Sequence, residues 1–69
     1  MDKKQFSDQV KAIRAALKLS QEELAHAIGV SFATVNRWEN GKTAPSKMAL
    51  TLFKAFCKEK NLNIPGVEQ

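Results

Sequence analysis

The sequence predicts an all-α fold, a compact bundle of four or at most five short helices, and three observations carry that expectation. Apolar residues recur at three- and four-residue spacing, which puts them on one face of a helix. Three serines, Ser20, Ser31 and Ser46, stand just before such runs, where a hydroxyl can satisfy the free amides of a first turn. No stretch alternates apolar and polar residues as a half-buried strand does.

The first helix is expected over residues 4–18, because Phe6, Val10, Ile13 and Leu17 follow one another at spacings of four, three and four. Lys11, Arg14, Ala15 and Lys18 form its other, mixed face. Ser20-Gln21-Glu22-Glu23 is a capping box: the Ser20 hydroxyl accepts from the Glu23 amide while the Glu23 carboxylate reaches back to Ser20. The second helix starts there and ends at Gly29, which tolerates the left-handed conformation that closes a helix. Ser31 opens a third helix with Val35 and Trp38 on its buried side, ending near Asn40-Gly41. Residues 41–45 read as a loop, and Ser46 caps a fourth helix. Its inner stripe is expected to be Ala49, Leu52, Phe53 and Phe56, with Lys47, Thr51, Lys54 and Lys58 outside. Pro65-Gly66 argues against a long fifth helix, so the domain is expected over residues 1–60, with a tail over 61–69.

A chain of 69 residues is too short to be divided into two cores. No apolar run approaches the roughly 20 residues of a membrane span, and residues 1–4 do not open a signal peptide, so a cytoplasmic location is expected. One cysteine, Cys57, and one histidine, His26, provide neither an internal disulfide nor a zinc site, and neither a metal nor a cofactor is expected. Cys57 reads as a small core residue or an exposed thiol, and His26 as a lone histidine on the outside of the second helix. The net charge of +4 suits a polyanionic partner, because each cation set against a phosphate releases a counterion. Lys54, Lys58 and Lys60 read as a solvated helix end that complements the negative pole of the helix dipole.

Within residues 21–40, two short helices that cross steeply need a small residue at the contact, a turn residue that accepts positive φ and a β-branched residue gripping from the second helix. Ala25, Gly29 and Val35 meet those needs, and Leu24, Ile28 and Trp38 fill the space around them. The chain here resembles the helix-turn-helix domain of phage repressors of the Cro and C1 type and their bacterial relatives, over about residues 6–57. The carriers are Leu19-Ser20-Gln21-Glu22-Glu23-Leu24-Ala25, Ile28-Gly29-Val30-Ser31, Val35-Asn36-Arg37-Trp38-Glu39-Asn40-Gly41-Lys42 and Pro45-Ser46.

The resemblance implies a lambda-repressor-like bundle that acts as a transcriptional regulator, repressor-like, or as the sequence-specific DNA-binding module of one. It puts the third helix in the major groove with Phe32, Ala33, Asn36 and Arg37 towards the bases. Arg37 can bridge guanine O6 and N7, Asn36 can pair with adenine, and Ala33 or Phe32 can press on a thymine methyl. It assigns Gln21, Ser31, Asn40, Lys42 and Thr43 to phosphates and positioning. Arg14 and Glu39 are implied to form a partly buried ion pair that fixes the third helix, while Ala25, Gly29, Val35 and Trp38 are structural. Phe32 has a second reading, as a staple packed back on the core. Many relatives carry polar residues where this chain has Phe32 and Ala33, so base preference shifts to Arg37, Asn36 and DNA shape. Many also carry a fifth helix that contributes to dimer contacts.

The implied partners are double-stranded DNA and, on a two-fold operator, a second copy of the chain; neither a membrane nor a small-molecule substrate is indicated. The competing reading is a protein-interaction module on the same scaffold, such as an antitoxin or coactivator. An enzyme is not expected, since the sequence offers no paired nucleophile and base, metal cluster or phosphate-cradling glycine loop.

Overall fold

The computed structural model describes residues 3–62, and its helices are α1 (Lys3–Leu17), α2 (Gln21–Ile28), α3 (Phe32–Glu39) and α4 (Lys47–Glu59). Among the described residues there is no strand. The expectations placed on residues 63–69, the end of the tail and the Pro65-Gly66 break, lie outside the described residues.

The three serine caps form. Ser20, Ser31 and Ser46 each accept from the amide three residues on, at 3.0–3.1 Å, and at Ser20 the reciprocal bond from its own amide to Glu23 Oε1 completes the box at 2.8 Å. The ends share a device of which the sequence showed one instance. Gly29 closes α2 at φ 97°, but Lys18 and Asn61 take φ 56° and 61° after α1 and α4. In each case the following amide reaches back five residues: Leu19 to Arg14, Val30 to Ala25 and Leu62 to Cys57, at 2.9–3.0 Å. Leu19, Val30 and Leu62 then pack on the core, the apolar contact that accompanies such a closure. Lysine gives no sequence signal for positive φ, so the expected end at residue 18 differs from the observed end at Leu17.

The turn between α2 and α3 gives a clean test of backbone strain. A methyl group added at Gly29 would meet nothing within 4 Å, yet φ is 97°, where L-residues are disfavoured. Gly29→Ala is expected to lower stability by about 1 kcal/mol, read by urea denaturation, from conformation alone.

The helices enclose one core: Phe6, Val10 and Ile13 from α1, Leu24, Ala25 and Ile28 from α2, Val35 and Trp38 from α3, and Phe53, Phe56 and Cys57 from α4. Phe6 stands edge-on to Trp38 and to Phe53, with ring centroids 5.1 Å apart in both pairs, so three helices meet on one aromatic ring. α3 packs against both α1 and α2, and α4 against α2.

The stripe of α4 differs from the expectation. Leu52 is 38% exposed, whereas Leu50 packs on the core and Cys57 is buried. At about 100° per residue, Phe53 is the centre of the buried arc and Leu52 falls at its edge, while Leu50 and Cys57 fall inside it. Burial pushes the Cys57 thiol up from its ordinary value, which favours the small-core-residue reading over a reactive thiol.

Candidate nucleic-acid interface

α3 has two sides with opposite fates. Val35, Trp38 and Glu39 are buried, whereas Ala33 and Arg37 are exposed on the other side, Phe32 is exposed in the first turn and Asn36 is half-buried. Phe32 is 48% exposed, so it is not a staple packed into the core. The helix is therefore gripped from behind and open in front.

The grip at its C-terminal end is polar and comes from α1. Arg14 donates twice to the Glu39 carboxylate, from Nε to Oε2 at 2.6 Å and from Nη2 to Oε1 at 3.1 Å. A third donor of the same guanidinium, Nη1, meets the Leu19 carbonyl at 3.2 Å. This fork-to-fork geometry is the strong form of an ion pair. Ser7 adds a second tether, its buried hydroxyl donating to the Glu39 carbonyl at 2.7 Å. Sequence reasoning missed Ser7, because a serine beside the apolar stripe of a helix carries no signal for a bond 32 residues away.

Burial by itself would raise the Glu39 carboxyl. Hydrogen bonds from Arg14 and Gln21, with the positive charges of Arg14 and Lys11, outweigh that and hold it below its ordinary value. The same bond to Glu39 raises Arg14. Both partners are charged across the neutral range.

The polar network extends from Glu39 towards the front of α3. Gln21 Nε2 donates to Glu39 Oε1 at 3.2 Å, Asn36 Nδ2 donates to Gln21 Oε1 at 3.2 Å, and Asn40 Nδ2 donates to Asn36 Oδ1 at 3.1 Å. Gln21, Asn36 and Asn40, assigned separately from sequence, are thus one connected chain. Ser31 is engaged locally, accepting from the Thr34 amide and sharing a hydroxyl bond with Thr34 Oγ1 at 2.9 Å. Arg37 and Thr43 come together on a pocket of about 210 Å³ between α3 and the start of α4, also lined by Thr34, Trp38, Ala44, Ser46 and Ala49. Lys42 is exposed in the loop, and His26 is exposed on α2. Among the described residues no three His, Cys, Asp or Glu side chains gather as metal ligands, and no helix is long and apolar enough to cross a membrane.

Two short helices crossing at a buried Ala25, a turn closed by Gly29 and a second helix held from behind with its outer face free define a helix-turn-helix domain. The chain belongs to the HTH_3 helix-turn-helix family, whose model matches residues 10–58. It is 38% identical over 55 residues to the Type II methyltransferase M1.ScrFI of Lactococcus lactis subsp. cremoris, a match covering 75% of this chain and 14% of that protein. It is 31% identical over 52 residues to the HTH-type transcriptional activator BcrR of Enterococcus faecalis, covering 75% of this chain and 26% of that one. Among solved structures it is similar to an HTH_3 family transcriptional regulator from Vibrio cholerae, with a TM-score of 0.69 and 29% identity over 83% of this chain and 36% of the other. The chain spans between 14% and 36% of the length of these relatives.

Proposed function

We propose that the chain binds double-stranded DNA sequence-specifically, as the DNA-binding module of a transcriptional regulator, with α3 in the major groove. The observation that carries this is the free front of α3, where Ala33 and Arg37 are exposed on a helix whose other side is locked into the core and Phe32 is exposed in its first turn. The net charge of +4 and the transcriptional roles named for two relatives support the same reading.

In this reading Arg37 meets a guanine, Phe32 and Ala33 press on thymine methyls, and Asn36 faces a base edge. Ser31, Asn40, Lys42 and Thr43, with the N-terminal turn of α2, face phosphates, since free amides at a helix start attract anions. A two-fold operator would take two copies with their α3 helices about 34 Å apart. The role is one of binding, not catalysis.

Fluorescence anisotropy on mixed duplex DNA at low salt tests this. Binding is expected to weaken steeply as salt rises, and Arg37→Ala to lose roughly 5- to 150-fold in affinity for the preferred site. An absence of salt-sensitive binding at micromolar protein would overturn it. A protein-docking module is the second reading, favoured by the exposure of Met48 (76%) and Leu52 (38%) one turn apart on α4. The same titration separates the two, because a docking module shows no such binding.

A further inference from the structure

We propose that the Arg14–Glu39 pair, acting through Gln21, sets the orientation in which the Asn36 carboxamide meets DNA, so that Gln21 is a positioning residue for base reading; this rests on the DNA-binding role. The argument follows from which atoms can donate. A carboxylate only accepts, so the Gln21 group 3.2 Å from Glu39 Oε1 must be its amino end. That turns the Gln21 oxygen to Asn36, which must answer with Nδ2, at 3.2 Å. The Asn36 oxygen is thereby turned to Asn40, which answers with its own Nδ2, at 3.1 Å.

Each carboxamide has two flips of nearly equal shape, and reversing any one of these sets N–H against N–H or oxygen against oxygen. The polarity of the chain is anchored where Arg14 makes its two bonds to a Glu39 side chain that is only 5% exposed. A charge buried behind α3 therefore dictates the order of donor and acceptor at its half-buried front. Asn36 keeps one N–H and one oxygen lone pair uncommitted, and a bidentate pair with adenine N7 and N6 depends on the order in which these are presented. Without the relay both flips are open, and discrimination at that base pair weakens.

Two measurements on the whole chain test this. In ¹⁵N-labelled protein without DNA, the Asn36 side-chain NH₂ protons are expected to show Overhauser contacts to the Gln21 side chain from one fixed orientation. Gln21→Met, which keeps the length and the Ser20 cap but removes both polar atoms, is expected to release the Asn36 amide to free-asparagine shifts and exchange. Averaging in the wild type, which needs no variant, or an Asn36 amide unmoved in Gln21→Met, would overturn the relay. In selection from random duplexes, Gln21→Met is expected to lose about fivefold discrimination at one base pair. A uniform loss across sequences, with discrimination unchanged at every base pair and the salt slope reduced by about one, would make Gln21 a phosphate contact alone and overturn the proposal. If the wild-type chain binds no duplex, the DNA-binding reading falls and the proposal with it; if it binds while the Asn36 amide averages, only the relay falls.

Discussion

Phe6→Ala is expected to leave the domain largely unfolded at room temperature. Phe6 is fully buried and stands edge-on to both Trp38 and Phe53, so the same ring closes the contacts of α1 with α3 and with α4. Truncating such a side chain typically costs about 3–5 kcal/mol, from lost transfer energy and from the cavity left behind. A domain of this size has a total stability of only about 3–10 kcal/mol at roughly 0.05–0.15 kcal/mol per residue. The two magnitudes are comparable, which is why one substitution decides the fold. Urea denaturation followed by circular dichroism and by Trp38 fluorescence reads the loss. Phe32→Ala is the matched control: the same chemical change at a side chain 48% exposed should shift stability by no more than about 0.5 kcal/mol. A loss below about 2 kcal/mol at Phe6 would mean that the neighbouring rings collapse into the gap.

The second large effect is an asymmetry within the ion pair, with Arg14→Met costing more than Glu39→Gln. The Arg14 side chain is 32% exposed and the Glu39 side chain 5%. Removing Glu39 leaves a guanidinium that water can reach, whereas removing Arg14 leaves a carboxylate that water cannot. Breaking a buried pair costs about 3–5 kcal/mol when the surviving charge is uncompensated, so Arg14→Met is expected at roughly 3 kcal/mol or more, and Glu39→Gln below that. Arg14→Met also gives up the bond to the Leu19 carbonyl, which supports the turn into α2.

The pH dependence has a definite sign. The folded Glu39 carboxyl is held below its ordinary value, so its contribution is complete above that value and is lost as pH falls through the lower, folded one. In Arg14→Met, burial remains without its main counterweight and the carboxyl takes up a proton more readily. The stability gap between wild type and Arg14→Met is therefore expected to narrow between neutral and acid pH. Equal gaps at pH near 7 and near 3.5, a range spanning the ordinary glutamate value, would show that the pair is not its source.

What the sequence determined by itself was whatever depends on near neighbours along the chain. Ser20, Ser31 and Ser46 mark helix starts because a hydroxyl caps amides within its own first turn. Gly29 marks a stop because positive φ is a property of one residue. The spacing of Phe6, Val10 and Ile13 shows one buried face because helical geometry repeats every few residues. The family followed from those local signatures taken together, and the Arg14–Glu39 pairing came with it. Tertiary structure alone decided what depends on distance across the fold. Lys18 and Asn61 accept positive φ because Leu19 and Leu62 find apolar cover on other helices. Leu52 yields its place to Leu50 and Cys57 because the partners facing α4 set the centre of its buried arc. Gln21, Asn36 and Asn40 become one polarised chain only when α1, α2 and α3 converge on Glu39. A hydrogen bond between side chains 15 or 18 residues apart has no local propensity to announce it, and its direction is set by a carboxylate that can only accept.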